Sequence, residues 1–264
     1  MTNAIIPFSL KDEPALIERL MPVQKLSTEA YKEQEGKQGE TLTTLGSYWK
    51  GRKPLILNKA CILGCLLPAT DNPARDLEIF EMLMGMDMSS LEKRLEEKND
   101  KSSKFILGQH RTVGHSAPYR EWVATACRPE ECGELLFDHI WEEVNDHLGT
   151  SAFCFSELIE QLGFMRFGHR PRVADTFCGS GQIPFEAARL GCEVYASDLN
   201  PIACMLTWGD FNVIGGGKFF RQELRQQQEL LTNSIQSEID ALKVETDGRG
   251  WRPKTFLYCL EVIC

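Results

Sequence analysis

The sequence predicts a mixed α/β protein, and three segments of the chain carry this prediction. Val173 to Pro184 has the pattern of a short strand, a glycine turn and a helix start, and Glu193 to Asp198 has that of a second strand ending in an acid. Apolar residues recur at helical spacing through residues 1–150, which favours helices there. Phe219 to Val244 is rich in Gln, Glu and Leu and indicates one long polar helix.

The order of these segments predicts four parts of the chain. Residues 1–150 form a mainly helical N-terminal domain, and residues 151–215 form the first half of a Rossmann-like sheet, in which a helix connects two parallel strands. Residues 216–250 form a helical insertion. Residues 251–264 begin a further strand, so the predicted sheet is incomplete.

Apolar periodicity predicts the individual helices. The run from Leu55 to Leu67 is long enough for a buried helix, too short to span a bilayer, and stopped by Pro68. Pro184 and Gly191 suit the first turn and the C-terminal stop of the helix in the α/β unit. The other predicted helices span residues 11–35, 74–101, 134–147, 156–162 and 202–208.

Composition limits the class of protein. The chain has 264 residues and a formal net charge of −9. This charge excludes a protein whose whole surface binds nucleic acid, so any contact with nucleic acid must depend on local basic patches. No apolar run approaches the roughly 20 residues of a membrane span, so we expect no membrane partner. Ten cysteines are scattered singly through apolar segments, as buried thiols are in a reducing compartment. We therefore expect a soluble cytoplasmic protein.

The glycine turn discriminates between nucleotide cofactors. A dinucleotide site needs a third glycine, where this chain has Pro184, and a phosphate-binding loop needs a Lys-Ser/Thr pair directly after its glycines, where this chain has none. What remains is Asp-x-Phe-x-Gly-x-Gly from Asp175 to Gly181, with one tight turn and an acid that can accept an ammonium group. Asp198 follows at about the spacing of a ribose-binding acid. This arrangement predicts S-adenosylmethionine as the cofactor.

The same turn resembles the first motif of amino-group DNA methyltransferases, Asp-Pro-Phe-x-Gly-Ser-Gly, with Thr176 in place of the proline. Four further segments are similar to the zinc-ribbon-containing adenine-specific DNA methylases: Arg19 to Ser27, Ser47 to Leu55, Asp198 to Ala203 and Thr255 to Cys264. The last of these segments resembles the strand that leads into the zinc ribbon of that family.

The resemblance implies a site, a cofactor and a substrate. It implies adenine-N6 methylation of DNA with S-adenosylmethionine, in restriction–modification or phage defence, and a base flipped out of the duplex. The positions that match the cofactor site are Asp175, Phe177, Gly179, Ser180, Gly181, Asp198 and Asn200.

The catalytic motif of such enzymes, Asp/Asn/Ser-Pro-Pro-Tyr/Phe, is missing because the sequence contains no Pro-Pro dipeptide. The family places it beyond the zinc ribbon, of which Cys259 and Cys264 are the first candidate ligands. We therefore expect the N-terminal, cofactor-binding part of a methyltransferase, inactive alone, without a metal of its own, and acting with a separately encoded or lost C-terminal portion. Two alternatives stay open, an RNA methyltransferase fragment and a catalytically silent partner-binding module.

Basic residues form two further candidate groups. Lys50, Arg52 and Lys53 stand beside Tyr48 and Trp49, which suits contact with a phosphate or closure over the methionine end of the cofactor. A second group precedes the first strand and is predicted to lie at the surface; it consists of Arg166, His169, Arg170 and Arg172. Cys178, within the glycine turn, is predicted to be a small filler and not a nucleophile.

Overall fold

A computed structural model describes residues 4–35, 52–113, 118–243 and 248–251. These residues are mostly helical and include a two-stranded parallel sheet, which confirms the mixed α/β class. The chain divides into two compact units, Met1–Ile214 and Gly215–Cys264. The larger Rossmann-like sheet and the four-part domain division stay predictions.

The first unit contains eleven of the described α-helices and both described strands. Strand β1 is Arg172–Asp175 and β2 is Glu193–Ala196. The helices are α1 Leu16–Arg19, α2 Val23–Glu35, α3 Leu55–Leu66, α4 Pro73–Met84, α5 Met88–Lys98, α6 Lys101–Val113, α7 Tyr119–Thr125, α8 Trp141–Leu148, α9 Phe155–Phe167, α10 Gln182–Leu190 and α11 Pro201–Gly209.

Besides the helix predicted over residues 11–35, which the structure divides into α1 and α2 on either side of Pro22, two further predicted helices are divided. The helix predicted over residues 74–101 ends at Gly85, which adopts a left-handed φ of 67°, and restarts after Asp87, whose carboxylate accepts the Ser90 N–H. The helix predicted over residues 134–147 consists of a 3-10 turn, Glu134–Phe137, followed by α8. Apolar periodicity continues through both interruptions, so it could not reveal them.

The larger of the two hydrophobic clusters in the described residues joins the N-terminal helices to the α/β unit. Leu63 of α3 and Phe80 of α4 are fully buried in it, together with Leu162 of α9 and Ala187 of α10. The buried helix predicted over Leu55 to Leu67 is therefore confirmed, and it packs along α10. Because α10 begins at the glycine turn, the N-terminal helices support the turn directly.

The α/β unit is a parallel strand–helix–strand arrangement. The register pairs Arg172 with Glu193 and Asp175 with Ala196, so both strands end at the same edge. Gly191, with a φ of 104°, ends α10 as predicted and turns the chain into β2. The carboxyl ends of the strands, and the loops that follow them, therefore lie together.

Arg166 contradicts the prediction of a surface residue. Its side chain is buried, and its guanidinium donates hydrogen bonds to five backbone carbonyls, from the end of α3 and the segment before α1. The carbonyls of Leu10, Pro14 and Leu67 also accept a backbone N–H, and the planar fork of guanidinium donors supplies a second bond to each of them. Arg166 is thus a structural residue that ties the N-terminal segment to α9. Arg172 and His169 are exposed, as predicted, and Arg170 is half-buried.

The second unit contains one described helix, α12, Lys218–Leu242. The long polar helix predicted over Phe219 to Val244 is confirmed, and nearly all of its side chains are exposed. Within the described parts of both units, no helix has the length and apolar character needed to cross a membrane.

Candidate functional site

The glycine turn leaves β1 at its carboxyl end and is held by backbone contacts to β2. The Cys178 N–H donates to the Ser197 carbonyl at 3.0 Å, and the Gly181 N–H donates to the Cys178 carbonyl at 2.8 Å. Gly179 and Gly181 have φ angles of 53° and 78°, the left-handed region that glycine adopts without strain. The turn therefore needs glycine at both positions.

Asp198 closes the turn from the end of β2. One carboxylate oxygen accepts the Gly179 N–H at 2.9 Å, and the other accepts the Asn200 N–H at 2.8 Å. The bonds from Asn200 and Gly179 hold the pKa of this carboxyl below its usual range, so Asp198 is an anion at neutral pH. Each oxygen can still accept a further bond from a ligand.

Gly181 also makes a close approach to α11. A Cβ at this position would lie 2.9 Å from Thr207 Oγ1 and 3.1 Å from Asp210 Oδ2. Thr207 in turn donates to the Gly179 carbonyl at 3.4 Å, so α11 packs against the back of the turn. Asp210 is fully buried there and has no hydrogen-bond partner among the residues that the structure describes, and burial raises its pKa to about 7.

A cleft of about 130 Å³ lies on the front of the turn. Asp175, Phe177 and Ser180 line it from the α/β unit, and Arg52 and Lys53 line it from the segment before α3. The basic cluster and the glycine turn, far apart in the sequence, thus meet in one cleft. Tyr48, Trp49 and Lys50 lie outside the described residues.

The structure gathers some of the predicted site residues and separates others. Asp175, Phe177, Gly179 and Ser180 line the cleft, and Phe177 is 78% exposed. Asp198 borders it through its bond to Gly179. Gly181 and Asn200 serve the turn and the neighbouring helix instead, since Gly181 faces α11 and the Asn200 side chain caps that helix by accepting the Ile202 N–H.

Cys178 is buried in the turn. Burial raises the pKa of its thiol, which disfavours the nucleophilic thiolate. Cys259 and Cys264 lie outside the described residues, and within the described ones no group of three or more His, Cys, Asp or Glu side chains is placed to hold a metal ion.

Sequence reasoning missed a second cavity, of about 150 Å³, between α3, α10 and the segment before α8. Lys59 is buried in its wall, with Nζ 4.4 Å from the Phe137 ring centroid and 4.1 Å from that of Phe155. The sequence feature that could have revealed this cavity is a lysine in the middle of the apolar run from Leu55 to Leu67, because a lysine side chain is rarely fully buried unless it is paired.

The fold and the turn define an α/β protein with a glycine-turn cleft at the carboxyl end of a parallel strand pair. Residues 20–83, which include α2, α3, Arg52 and Lys53, match a family described as a protein of unknown function, DUF1156. No curated protein and no solved structure matches the chain.

Proposed function

We propose that this chain is the S-adenosylmethionine-binding, N-terminal part of an adenine-N6 DNA methyltransferase, built on a Rossmann-like sheet. The observation that carries the proposal is the cleft at the glycine turn, which Arg52, Lys53 and Asp175 line together. Opposite charges in one cleft, with a ribose-type acid at its border, suit a ligand that is an amino acid at one end and a nucleoside at the other.

The amino-acid end of the cofactor matches the charged end of the cleft. One Asp175 oxygen already accepts the Phe177 N–H at 3.1 Å, which holds the carboxylate in place to accept the cofactor's ammonium group. Lys53 is exposed and Arg52 half-buried in the lining of the same cleft, and the Lys53 ammonium group would hold the carboxylate of the cofactor. A dinucleotide has a pyrophosphate and no ammonium group, so its binding would not be strengthened by the Asp175 carboxylate.

The nucleoside end matches Asp198. Its two backbone bonds fix the carboxylate plane, so it can accept both ribose hydroxyls without losing rotamer entropy on binding. When bound, the cofactor supplies an activated methyl group on its sulfonium. This chain's own contribution is to bind and orient that group.

Methyl transfer itself requires residues that this sequence lacks, since it has no Pro-Pro dipeptide. We propose that a separately encoded portion supplies them. Exposed apolar side chains on β2 and on the segment through α11 support such a partner, because large apolar side chains that are exposed in number often belong to an interaction site. They are Tyr195, Leu199, Ile202, Met205 and Trp208.

Calorimetric titration of the full chain tests cofactor binding. S-adenosylmethionine should bind, and NAD⁺ should not. Asp198→Asn should weaken binding at least tenfold, because the new amide nitrogen cannot accept a backbone N–H or a ribose hydroxyl. Asp100→Asn is the matched control, since Asp100 also accepts a backbone N–H, from Ser103 at 2.8 Å, but caps α6.

Lys53→Met tests the orientation of the cofactor. It should weaken S-adenosylmethionine several-fold and leave methylthioadenosine unchanged, because that compound lacks the amino-acid carboxylate. Equal losses of affinity for both ligands would contradict the assignment of Lys53 to the cofactor's carboxylate. If neither ligand binds, the silent partner-binding module is favoured. If the cofactor binds and the protein then binds RNA more tightly than duplex DNA, the RNA methyltransferase is favoured.

A further inference from the structure

The cavity between α3 and α10 contains a buried amine. Lys59 lines this cavity and is 3% exposed, and its Nζ lies 4.4 Å and 4.1 Å from the ring centroids of Phe137 and Phe155. Within the part of the chain that the structure describes, Lys59 forms no hydrogen bond and no salt bridge. Aromatic rings replace only part of the hydration that an ammonium group loses on burial, so this environment favours the neutral amine.

A neutral amine is a nucleophile, and Lys59 has this form near neutral pH. Burial, and next the positive charge of Arg189, lower the pKa of Lys59 to about 7, against the opposing effect of Glu186 and Glu130. About half of the Lys59 side chains are therefore neutral at pH 7, whereas less than about a thousandth of an ordinary exposed lysine is neutral there. Desolvation of this kind is a common way to activate a lysine nucleophile.

Carboxyl groups outnumber cations in the lining of the cavity. Glu130, Glu134 and Glu186 line it, against Lys59 and Arg189. This balance disfavours an anionic ligand and favours a neutral ligand that becomes positively charged once it has reacted. The other charged or titratable groups beside the cavity are Glu33, Arg128, Glu131 and Cys154.

The size of the cavity restricts the ligand further. Its apolar lining includes Leu55, Ile56, Phe137, Phe155 and Leu190. An apolar cavity of about 150 Å³ is enough to bind benzene, and the volume here is about 150 Å³. The lining and the size therefore favour a single flat ring above a long or branched chain.

We propose that this cavity is an imine-forming site for a small aromatic aldehyde, with Lys59 Nζ as the nucleophile. The neutral amine adds to the carbonyl carbon, and one of its protons passes to the former carbonyl oxygen, which gives a carbinolamine. That oxygen then leaves as water with a proton from the Glu130 carboxyl group, while the nitrogen lone pair forms the C=N bond. The products are a protonated imine, a Glu130 carboxylate and water, so the new cation lies in a cavity lined by carboxylates.

The site is separate from the glycine-turn cleft, since none of the side chains that line one lines the other. It does not rest on the proposed methyltransferase function. Loss of S-adenosylmethionine binding would leave the imine site standing, and the reverse also holds.

Two groups set the pH dependence of the reaction. Imine formation needs Lys59 without its proton and Glu130 with one. Burial raises the pKa of Glu130 to about 7, against the lowering effects of its own backbone hydrogen bond and of Arg128. The rate should therefore rise as the pH approaches about 7, because Lys59 loses its proton, and fall above about 7, because Glu130 does.

Reductive trapping in the full chain at pH 7 tests the proposal. Benzaldehyde is the probe, and sodium cyanoborohydride supplies the hydride that reduces the imine to a stable benzylamine. Peptide mapping of the wild type should place the benzyl group on Lys59, about a hundredfold faster than on any exposed lysine. This measurement does not depend on the folding of a variant.

Variants separate the nucleophile from its surroundings. Lys59→Met, which keeps the side-chain length, should incorporate about tenfold less label under the same conditions. Lys101→Met, which removes an exposed lysine of α6, should match the wild type. Toluene, which has the ring without the aldehyde, should bind both the wild type and Lys59→Met, which shows that the cavity of the variant is intact.

The pH profile gives a readout that a merely structural lysine would not move. Glu130→Gln should slow the labelling of Lys59 about tenfold at pH 7 and remove the fall in rate at higher pH. Glu142→Gln, at an exposed carboxylate of α8, should do neither. Label spread evenly over the exposed lysines, no label on Lys59, equal labelling of Lys59→Met, or a pH profile that Glu130→Gln leaves unchanged would each overturn the proposal.

Discussion

Gly181→Ala should destabilise the protein more than the same substitution at Gly149, a left-handed glycine with open space around it. Gly181 has a φ of 78°, and an L side chain in this region costs roughly 1–2 kcal/mol. The added Cβ would also lie 3.0 Å from the backbone Cα of Thr207, which belongs to α11 and cannot rotate away as a flexible side chain would. The turn or the helix must therefore move.

The magnitude follows from these two contributions. Forced repacking of this kind typically costs about 1–3 kcal/mol, so the total loss in unfolding free energy should be about 2–5 kcal/mol. Gly149→Ala isolates the first contribution, because Gly149 has a φ of 66° and nothing lies within 4 Å of its added Cβ. We expect Gly149→Ala to lose only about 1–2 kcal/mol.

Urea unfolding of the three proteins at pH 7, followed by circular dichroism, measures the difference. Gly181→Ala should also bind S-adenosylmethionine more weakly in the calorimeter, because the displaced turn moves the Gly179 N–H away from Asp198; Gly149→Ala should bind as the wild type does. Equal stability losses in the two variants would show that α11 does not pack against the turn at the distances described, and the reasoning would fail.

Two further predictions concern buried charges. Glu29→Gln should lower the unfolding free energy by about 3–5 kcal/mol, because it leaves the fully buried Arg94 without its carboxylate, 2.7 Å away. Glu96→Gln, which breaks the exposed pair with Arg111, should change the unfolding free energy by less than about 1 kcal/mol in the same urea titration. Burial raises the pKa of Asp210 to about 7, so the folded protein keeps this proton and loses stability as the pH rises from 4 through 7. Asp210→Asn should therefore gain stability relative to the wild type at pH 8 and not at pH 4, and an equal difference at both values would contradict the burial of an unpaired carboxyl.

Local signals predicted the α/β unit well. Gly191 ends α10 as expected, and α11 lies where a helix is predicted over residues 202–208 and begins with Pro201. A left-handed stop and a first-turn proline are local features of the backbone that do not depend on distant residues. The same kind of signal was overlooked at Gly85, which divides a predicted helix, because the apolar pattern on both sides continues.

Side-chain roles were predicted less well where they depend on other elements. Arg166 has the composition and the neighbours of a surface cluster, yet five carbonyls from distant segments surround it. Nothing near Arg166 in the chain signals those carbonyls. Lys59 was similarly passed over, since its two aromatic neighbours come from segments well separated from α3 in the chain.

The amino-acid sequence by itself determined the glycine turn, the acids at or just beyond the strand ends (Asp175 and Asp198) and the S-adenosylmethionine prediction, because each depends on residues close together in the chain. Only the tertiary structure decided that Arg52 and Lys53 line the same cleft as Asp175, and that α11 packs behind Gly181. Those contacts depend on how α3 and α11 pack against the turn and its helix α10, and packing is set by the complementary shapes of buried surfaces, which no local pattern encodes.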